Sequence, residues 1–409
     1  MGDRLAIDGG APVRTRGWPE WPESRAEAWD EGISAELRDV FLGGVEGSPA
    51  TRANAFAAQF AAYCGVAHGE MMPHGTDSLM AALTAVLDLD GFRAGGEVIV
   101  PNYTFVATAS AALDRRCSVA FVDIDPRTRT IDPAAAEAAI DPGRTVAILP
   151  VHVGGHPADM GALRQIADRH GLKIVEDCAQ AHGAEVDGRK VGSLGDAGAF
   201  SFQSSKNLTS GEGGIVTTDD DETWHRAVAF KDCGRHPTGG EWSHQRIGGN
   251  FRTSEYLAVL LSARLTTLEA ETVRRNENGA YLREQLADVP GITPPHLAPY
   301  TTMHGYHHFM MLYDESEFGG RSRDEFVAAV CAEGVPVGSG YRTPLSDSAA
   351  LRQLAGKHPT LVRRLPCPNV ERVVAESVRL THSHLLGSRD DMDDIVAAVV
   401  KVRSALTTG

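Results

Sequence analysis

Lys206 lies in the run Ala199-Phe200-Ser201-Phe202-Gln203-Ser204-Ser205-Lys206-Asn207-Leu208-Thr209-Ser210-Gly211-Glu212-Gly213-Gly214. Upstream of it stands Val175-Glu176-Asp177-Cys178-Ala179-Gln180-Ala181-His182-Gly183. An amine, a carboxylate, an amide and the hydroxyl of Ser201 thus sit at the ends of short apolar runs. A lysine beside a cleft can give up its proton and form a Schiff base with a carbonyl. A carboxylate next to a pyridine nitrogen favours the protonated ring, which then draws electrons from a substrate carbanion. These are the groups that a pyridoxal phosphate (PLP) site needs. In such a site the cofactor does the difficult chemistry and the protein orients and tunes it.

Each residue also has a plainer reading. Lys206 could be a solvated surface lysine, and Asp177 a helix N-cap at a strand-to-helix turn. Gln180 could be an exposed helix residue or a donor to a cofactor phenolate. Ser201 could bond its own backbone or a phosphate. Gly75-Thr76 could be a loop and cap, or the start of a helix whose N–H groups cradle a phosphate. Their combination is a much stronger signal, because all would converge on one edge of a sheet.

The elements that must position them can be read from apolar runs. Strands are expected at Glu97-Val98-Ile99-Val100, Val119-Ala120-Phe121-Val122, Val146 to Val151, Lys173-Ile174-Val175, Gly198 to Phe202 and Gly214-Ile215-Val216-Thr217. Helices are expected between several of them, such as Met160 to His170. Short apolar strands alternating with helices predict an α/β layer with a mainly parallel sheet. Ligands of such sheets sit outside the carboxyl ends of the strands, where Asp177, Gln180 and Lys206 would lie. Ala53 to Tyr63 reads as a helix, and Leu79 to Leu89 as another whose start Thr76, Asp77 and Ser78 could cap. The pattern changes near Ser254. Ser254 to Leu286 reads as a long helix with Leu260, Leu261, Leu265 and Leu268 buried. Asp324 to Glu333 and Met392 to Leu406 read as amphipathic helices of a smaller domain. The expected organisation is an N-terminal arm over 1–25, a large α/β domain over 26–265 and a small C-terminal domain over 266–409.

Composition narrows the function classes. The formal net charge of −15 argues against a general nucleic-acid binder. Six scattered cysteines contain no Cys-x-x-Cys pair, which predicts reduced thiols in a cytoplasmic protein. No apolar run is long enough for a membrane span. His152 and His156 are separated by Gly154-Gly155, so no helical metal pair is expected and no metal site is assigned. His307-His308 and His382-x-His384 read as ordinary pocket or core histidines. Gly211-x-Gly213-Gly214 lacks the Lys-Ser/Thr of a P-loop and instead lets the backbone turn beside Lys206.

Across nearly its whole length the chain resembles the DegT/StrS-type PLP-dependent aminotransferases of PLP fold type I. The resemblance is carried by Gly75-Thr76-Asp77, Pro101 to Thr108, Phe121 to Pro126, Pro150 to Gly155, Glu176 to Gly183, the Lys206 segment and Gly249-Asn250-Phe251-Arg252. It implies a large domain with a mainly parallel central sheet flanked by helices, plus a smaller α+β C-terminal domain. It implies Lys206 as the Schiff-base lysine, Asp177 at the pyridine nitrogen and Gln180 at the ring oxygen. It also implies Ser201, Gly75 and Thr76 at the phosphate, Phe105 on the ring face, and Asn250 reaching the phosphate of a neighbouring subunit. A homodimer with shared active sites follows from that last role.

The implied activity is transfer of an amino group from L-glutamate or L-glutamine to a cyclic polyhydroxylated ketone. The acceptor would be a keto-cyclitol such as scyllo-inosose, or a keto-sugar that could be nucleotide-linked. Many family members on nucleotide-sugars carry Phe-Tyr-Pro-Thr-Lys, whereas this chain has Phe202-Gln203-Ser204-Ser205-Lys206. It also has Leu380-Thr381-His382-Ser383-His384, Tyr341-Arg342-Thr343 and Cys367-Pro368-Asn369. These variants look more like the branch of scyllo-inosose aminotransferases and aminohydroxybenzoate synthases. A PLP-dependent dehydratase or lyase of the latter kind is the second reading, and a non-catalytic binding protein on the same fold is the third.

Overall fold

The computed structural model describes residues 4–21, 31–43, 51–239 and 242–407. An eight-stranded sheet carries the larger layer, in the order β1 (His68–Met72), β9 (Gly214–Thr218), β8 (Ala197–Ser201), β5 (Lys173–Asp177), β4 (Thr145–Ile148), β2 (Glu97–Pro101), β3 (Ser118–Val122) and β14 (Val362–Arg364). β9 is antiparallel to both β1 and β8, and the remaining pairs are parallel. Only β9 therefore runs against the others. The carboxyl ends of seven strands share one edge, together with the start of β9.

Every residue of β2, β8 and β9 is buried. Strands covered on both faces read as continuous apolar runs, which is why they are visible in the sequence. One face packs under the helices Gly75–Val86, Val106–Asp114 and Asp221–Lys231, through residues such as Leu83, Ala109 and Phe230. The other face is covered by Met160–His170 and by the pair Thr51–Cys64 and Glu255–Ala287. In the long helix Leu261 and Leu268 are buried, while Leu260 and Leu265 are half-buried.

A second sheet has the order β10 (Ile292–Thr293), β12 (His308–Tyr313), β15 (Ser377–Thr381), β13 (Gly338–Ser339), all antiparallel. Helices Arg323–Ala332 and Arg389–Thr407 close its core around Phe309, Phe326, Leu380 and Ile395. Three short strands, β6 (Glu185–Val186), β7 (Arg189–Lys190) and β11 (Thr301–Met303), form a small third sheet. The amino-terminal segment docks on the second layer. Arg14 bonds Asp391 and Asp394, both at 2.7 Å, and lies over the Trp18 ring. Trp18 Nε1 donates to Gly334 O at 2.8 Å. The last residues of the expected arm and its boundary at 25/26 lie outside the described residues.

Two expectations need correction. The helix after β1 starts at Gly75, so Thr76, Asp77 and Ser78 fill its first turn and do not cap it. His74 holds the cap position in extended backbone, and its Nδ1 lies 2.8 Å from Asp77 Oδ2. The strand expected over Val146 to Val151 ends at Ile148, and Val151 pairs with Asp177 as an isolated bridge.

Candidate active site

The β8–β9 connection crosses the carboxyl edge of the large sheet and carries Lys206. Gln203 folds this loop on itself. Its carbonyl accepts Lys206 N at 2.9 Å and its Oε1 accepts Ser205 N at 2.9 Å. The loop is gripped from the second sheet on both sides of Lys206. His382 Nε2 lies 3.0 Å from Ser205 O, and His307 Nδ1 lies 3.2 Å from Asn207 Oδ1. Asn207 Nδ2 also donates to Gly305 O at 2.6 Å. These histidines, expected to be ordinary pocket or core residues, clamp the lysine loop. Lys206 itself is part-buried. Burial lowers its ammonium pKa below the usual lysine value, while the Asp177 charge pulls the other way.

Asp177 closes β5 and is 4% exposed. Its Oδ2 accepts from Thr108 Oγ1 at 2.8 Å and its Oδ1 from Ala179 N at 3.1 Å. Burial raises its pKa, against the opposing pull of those two bonds and of Lys206. A buried carboxylate in this state is favoured by a cation set against it. Gln180 is also buried. Its Oε1 accepts from Gly154 N at 2.8 Å and its Nε2 donates to Tyr341 Oη at 2.9 Å.

Ser201 ends β8 against the start of the Gly75 helix. A Cβ placed on Gly75 would fall 2.5 Å from Ser201 Cβ and 2.9 Å from its Oγ. One on Gly214 would fall 2.6 Å from His74 O. Glycine at both positions lets the helix start press directly on two strand ends. The first N–H groups of a helix lack intrahelical partners and attract anions. Here they belong to Gly75, Thr76 and Asp77, beside the Ser201 hydroxyl. Phe105, at the cap position of helix Val106–Asp114, is 59% exposed. Phe105 lies three residues before Thr108, which holds Asp177.

These residues fit PLP. They supply an amine with a weakened hold on its proton, a buried acid in want of a cation, an exposed aromatic face and helix-start amides beside a serine hydroxyl. Asn250 is the exception. It is exposed on the connection after helix Asp221–Lys231, bridged to Asp232, and makes no side-chain hydrogen bond among the described residues. His152, Glu176 and Cys178 form a buried cluster of metal-ligand type. Its polar atoms are committed elsewhere: Glu176 accepts from the amides of Gly192, Leu194 and Gly195 and pairs with His152, whose Nδ1 accepts from Ala158 N.

The sequence profile of the DegT/DnrJ/EryC1/StrS aminotransferase family matches residues 28–400. The chain belongs to that family. This chain is a PLP-dependent aminotransferase of fold type I. Among curated relatives, the L-glutamine:2-deoxy-scyllo-inosose aminotransferase of Streptomyces paromomycinus is 40% identical over 427 residues, covering 99% of both chains. Its namesake from Streptoalloteichus tenebrarius is 39% identical over 419 residues, covering 97% of each. Among solved structures, 3-amino-5-hydroxybenzoic acid synthase aligns with a TM-score of 0.82 at 28% identity, over 97% of this chain and 100% of that one.

Thr108, Tyr341, His307 and His382 were not assigned site roles from the sequence. Thr108 carried a signal, being one turn beyond Phe105 in the same run. Tyr341 and the histidines come from the second layer, and no local spacing ties them to Lys206.

Proposed function

We propose that this aminotransferase moves the amino group of L-glutamine to a keto-cyclitol of the scyllo-inosose type, in secondary-metabolite or antibiotic biosynthesis. The observation that carries the substrate class is the near-complete alignment with two enzymes named for that donor and acceptor. The donor leaves as its 2-oxo acid, and the ketone oxygen of the acceptor is exchanged for the amine. Bound PLP supplies an aldehyde that exchanges with the donor amine and a ring that takes up the electron pair left when the α-carbon loses its proton. In this reading Lys206 Nζ holds the aldehyde between turnovers and, once released, takes the proton from the donor α-carbon and later returns one to the acceptor carbon. Asp177 holds the ring nitrogen protonated, and Gln180 orients the ring oxygen. The Gly75 and Thr76 amides and the Ser201 hydroxyl hold the phosphate, and Phe105 covers one ring face.

The proposal includes a homodimer in which Asn250 serves the partner's phosphate site. Trp242 and Ile247, on the same connection as Asn250, are 79% and 78% exposed, which supports a buried role for that surface in an assembly. The six cysteines form no disulfide, which supports a reducing, cytoplasmic setting.

The test is product analysis with L-glutamine and 2-deoxy-scyllo-inosose or scyllo-inosose. The aminocyclitol and the 2-oxo acid should appear in equal amounts, and Lys206→Ala should abolish both. Loss of water without amino transfer would move the chain to the lyase reading. Turnover only with nucleotide-linked keto-sugars would overturn the acceptor class.

A further inference from the structure

Arg129 is a buried cation without a counter-charge. It stands in a tight turn after β3, where Asp125 N donates to Thr130 O at 3.0 Å and Arg129 N to Asp125 O at 2.7 Å. Its backbone is left-handed, with φ 65°, a conformation that residues other than glycine seldom adopt. The turn sends two arginines in opposite directions. Arg127 is exposed and takes the Asp125 carboxylate at 3.0 Å. Arg129 is 3% exposed. Its guanidinium makes one long hydrogen bond, from Nη1 to Arg127 O at 3.4 Å, and its Nε has no partner. Among the described residues no carboxylate lies within ion-pair distance of it. Burial pulls its pKa down to about 10, which still leaves it charged at neutral pH.

A cavity of about 10 Å³ lies against Arg129, lined also by Gly154, His156, Pro295, His304 and Met310. It sits between the layers. Arg129 and Gly154 follow strands of the large sheet, whereas His304 and Met310 belong to the chain that enters and forms β12. His304 brings a second unspent donor to the same space. Tyr306 N donates to its Nδ1 at 2.7 Å, so the neutral ring carries its proton on Nε2, which has no acceptor among the described residues. Burial, with the nearby charges of His156, Arg129 and Arg283, keeps that ring neutral. His156 is spent by contrast. Its Nδ1 bonds Pro157 O at 2.7 Å and its Nε2 accepts from Ala298 N at 3.2 Å.

One fixed positive charge and two donors without acceptors thus border room for a single water-sized particle. A water molecule would satisfy a donor and leave the charge uncompensated. A metal cation would be repelled, and sulfate, phosphate or either substrate is too large. We propose that this cavity binds one monatomic anion, chloride in ordinary solution, which pairs with Arg129 and His304 and pins the two layers together. Gly154 lines the cavity and donates its N–H to Gln180 Oε1 at 2.8 Å, so the anion stands one residue behind Gln180.

The test uses the full cofactor-loaded chain. Crystals grown with bromide in place of chloride should show an anomalous-scattering peak in this cavity, within hydrogen-bonding distance of Arg129. Adding about 100 mM chloride or bromide to halide-free protein, at ionic strength held constant with gluconate, should raise the melting temperature by about 2 to 4 °C. Arg129→Met should lose both the peak and the rise. Arg129→Gln, which keeps a donor without the charge, stands in if the methionine variant does not fold, and the wild-type crystal decides if neither does. A cavity that holds water or nothing in bromide-grown crystals overturns the inference. So does a melting temperature indifferent to halide, or a rise that the Arg129 variants retain, which would mark a general salt effect.

Discussion

At the residue scale, two positions make separable claims. Gly75 abuts Ser201 so closely that any side chain must push the helix start off the strand end. Gly75→Ala should weaken cofactor binding by about 10-fold or more, which is about 1.4 kcal/mol, as read by titration of the apoprotein with PLP. Equal affinity in the variant would show that the cradle lies elsewhere. Asp177 makes a pH claim. Its folded-state pKa is raised by burial, so the unfolded chain releases this proton first as pH rises. The apoprotein should therefore lose stability from this group as pH climbs above the ordinary aspartate value of about 4. Asp177→Asn should remove that component from the melting temperature against pH, while lowering transamination by at least about 100-fold. An identical pH profile in the two apoproteins would contradict the assignment.

At the element scale, the site is built where a loop from one layer is held by strands of another. His382→Ala removes the grip on Ser205 while leaving every proposed cofactor contact in place. We expect kcat to fall by about 10- to 100-fold with little change in PLP affinity; a loss of affinity alone would mean that the loop needs no brace. Arg14 is an anchor of a different kind. Its side chain is nearly inaccessible and bonded to both Asp391 and Asp394. Arg14→Ala leaves those carboxylates with the half-exposed Arg16 as their cationic partner and should cost about 1 to 3 kcal/mol in denaturant unfolding.

The sequence showed the first half of this arrangement. β2, β5, β8 and β9 are apolar because both faces are covered, and Asp177, Gln180, Ser201 and Lys206 follow from where those runs stop. β1 was missed because His68-Gly69-Glu70 looks polar. Glu70 is nevertheless buried, paired with Lys231 and accepting from Trp224 Nε1. β14 was missed because Val362-Arg363-Arg364 is an edge strand with little apolar signal. The grip of His307 and His382 on the Lys206 loop joins residues about a hundred or more positions apart. Only the packing of the two layers reveals it.

At the scale of the whole molecule, buried histidines set the response to acid. Burial pushes His156 down to about 4 and His182 to about 3, and His304, His307, His308 and His382 lie well below the ordinary value. The unfolded chain takes up these protons first as pH drops below about 6.5, so stability is present above that pH and lost beneath it. Each such group contributes up to about 1.4 kcal/mol per pH unit. Denaturant midpoints should fall steeply between about pH 7.5 and about pH 5.5, and a flat response would mean that these rings are solvated. The proposed dimer is testable by mixing. Lys206→Ala and Asn250→Ala subunits, refolded together, should exceed the sum of their separate activities, because one site of each heterodimer regains both residues. Simple additivity would place Asn250 outside the partner's site.

β15 ends just before His382, and β12 begins with His308 just after His307. The strand pair that fills the core of the second layer is thus also the clamp on the Lys206 loop. Loosening that core would loosen the reactive amine with it, so folding and turnover would fail together.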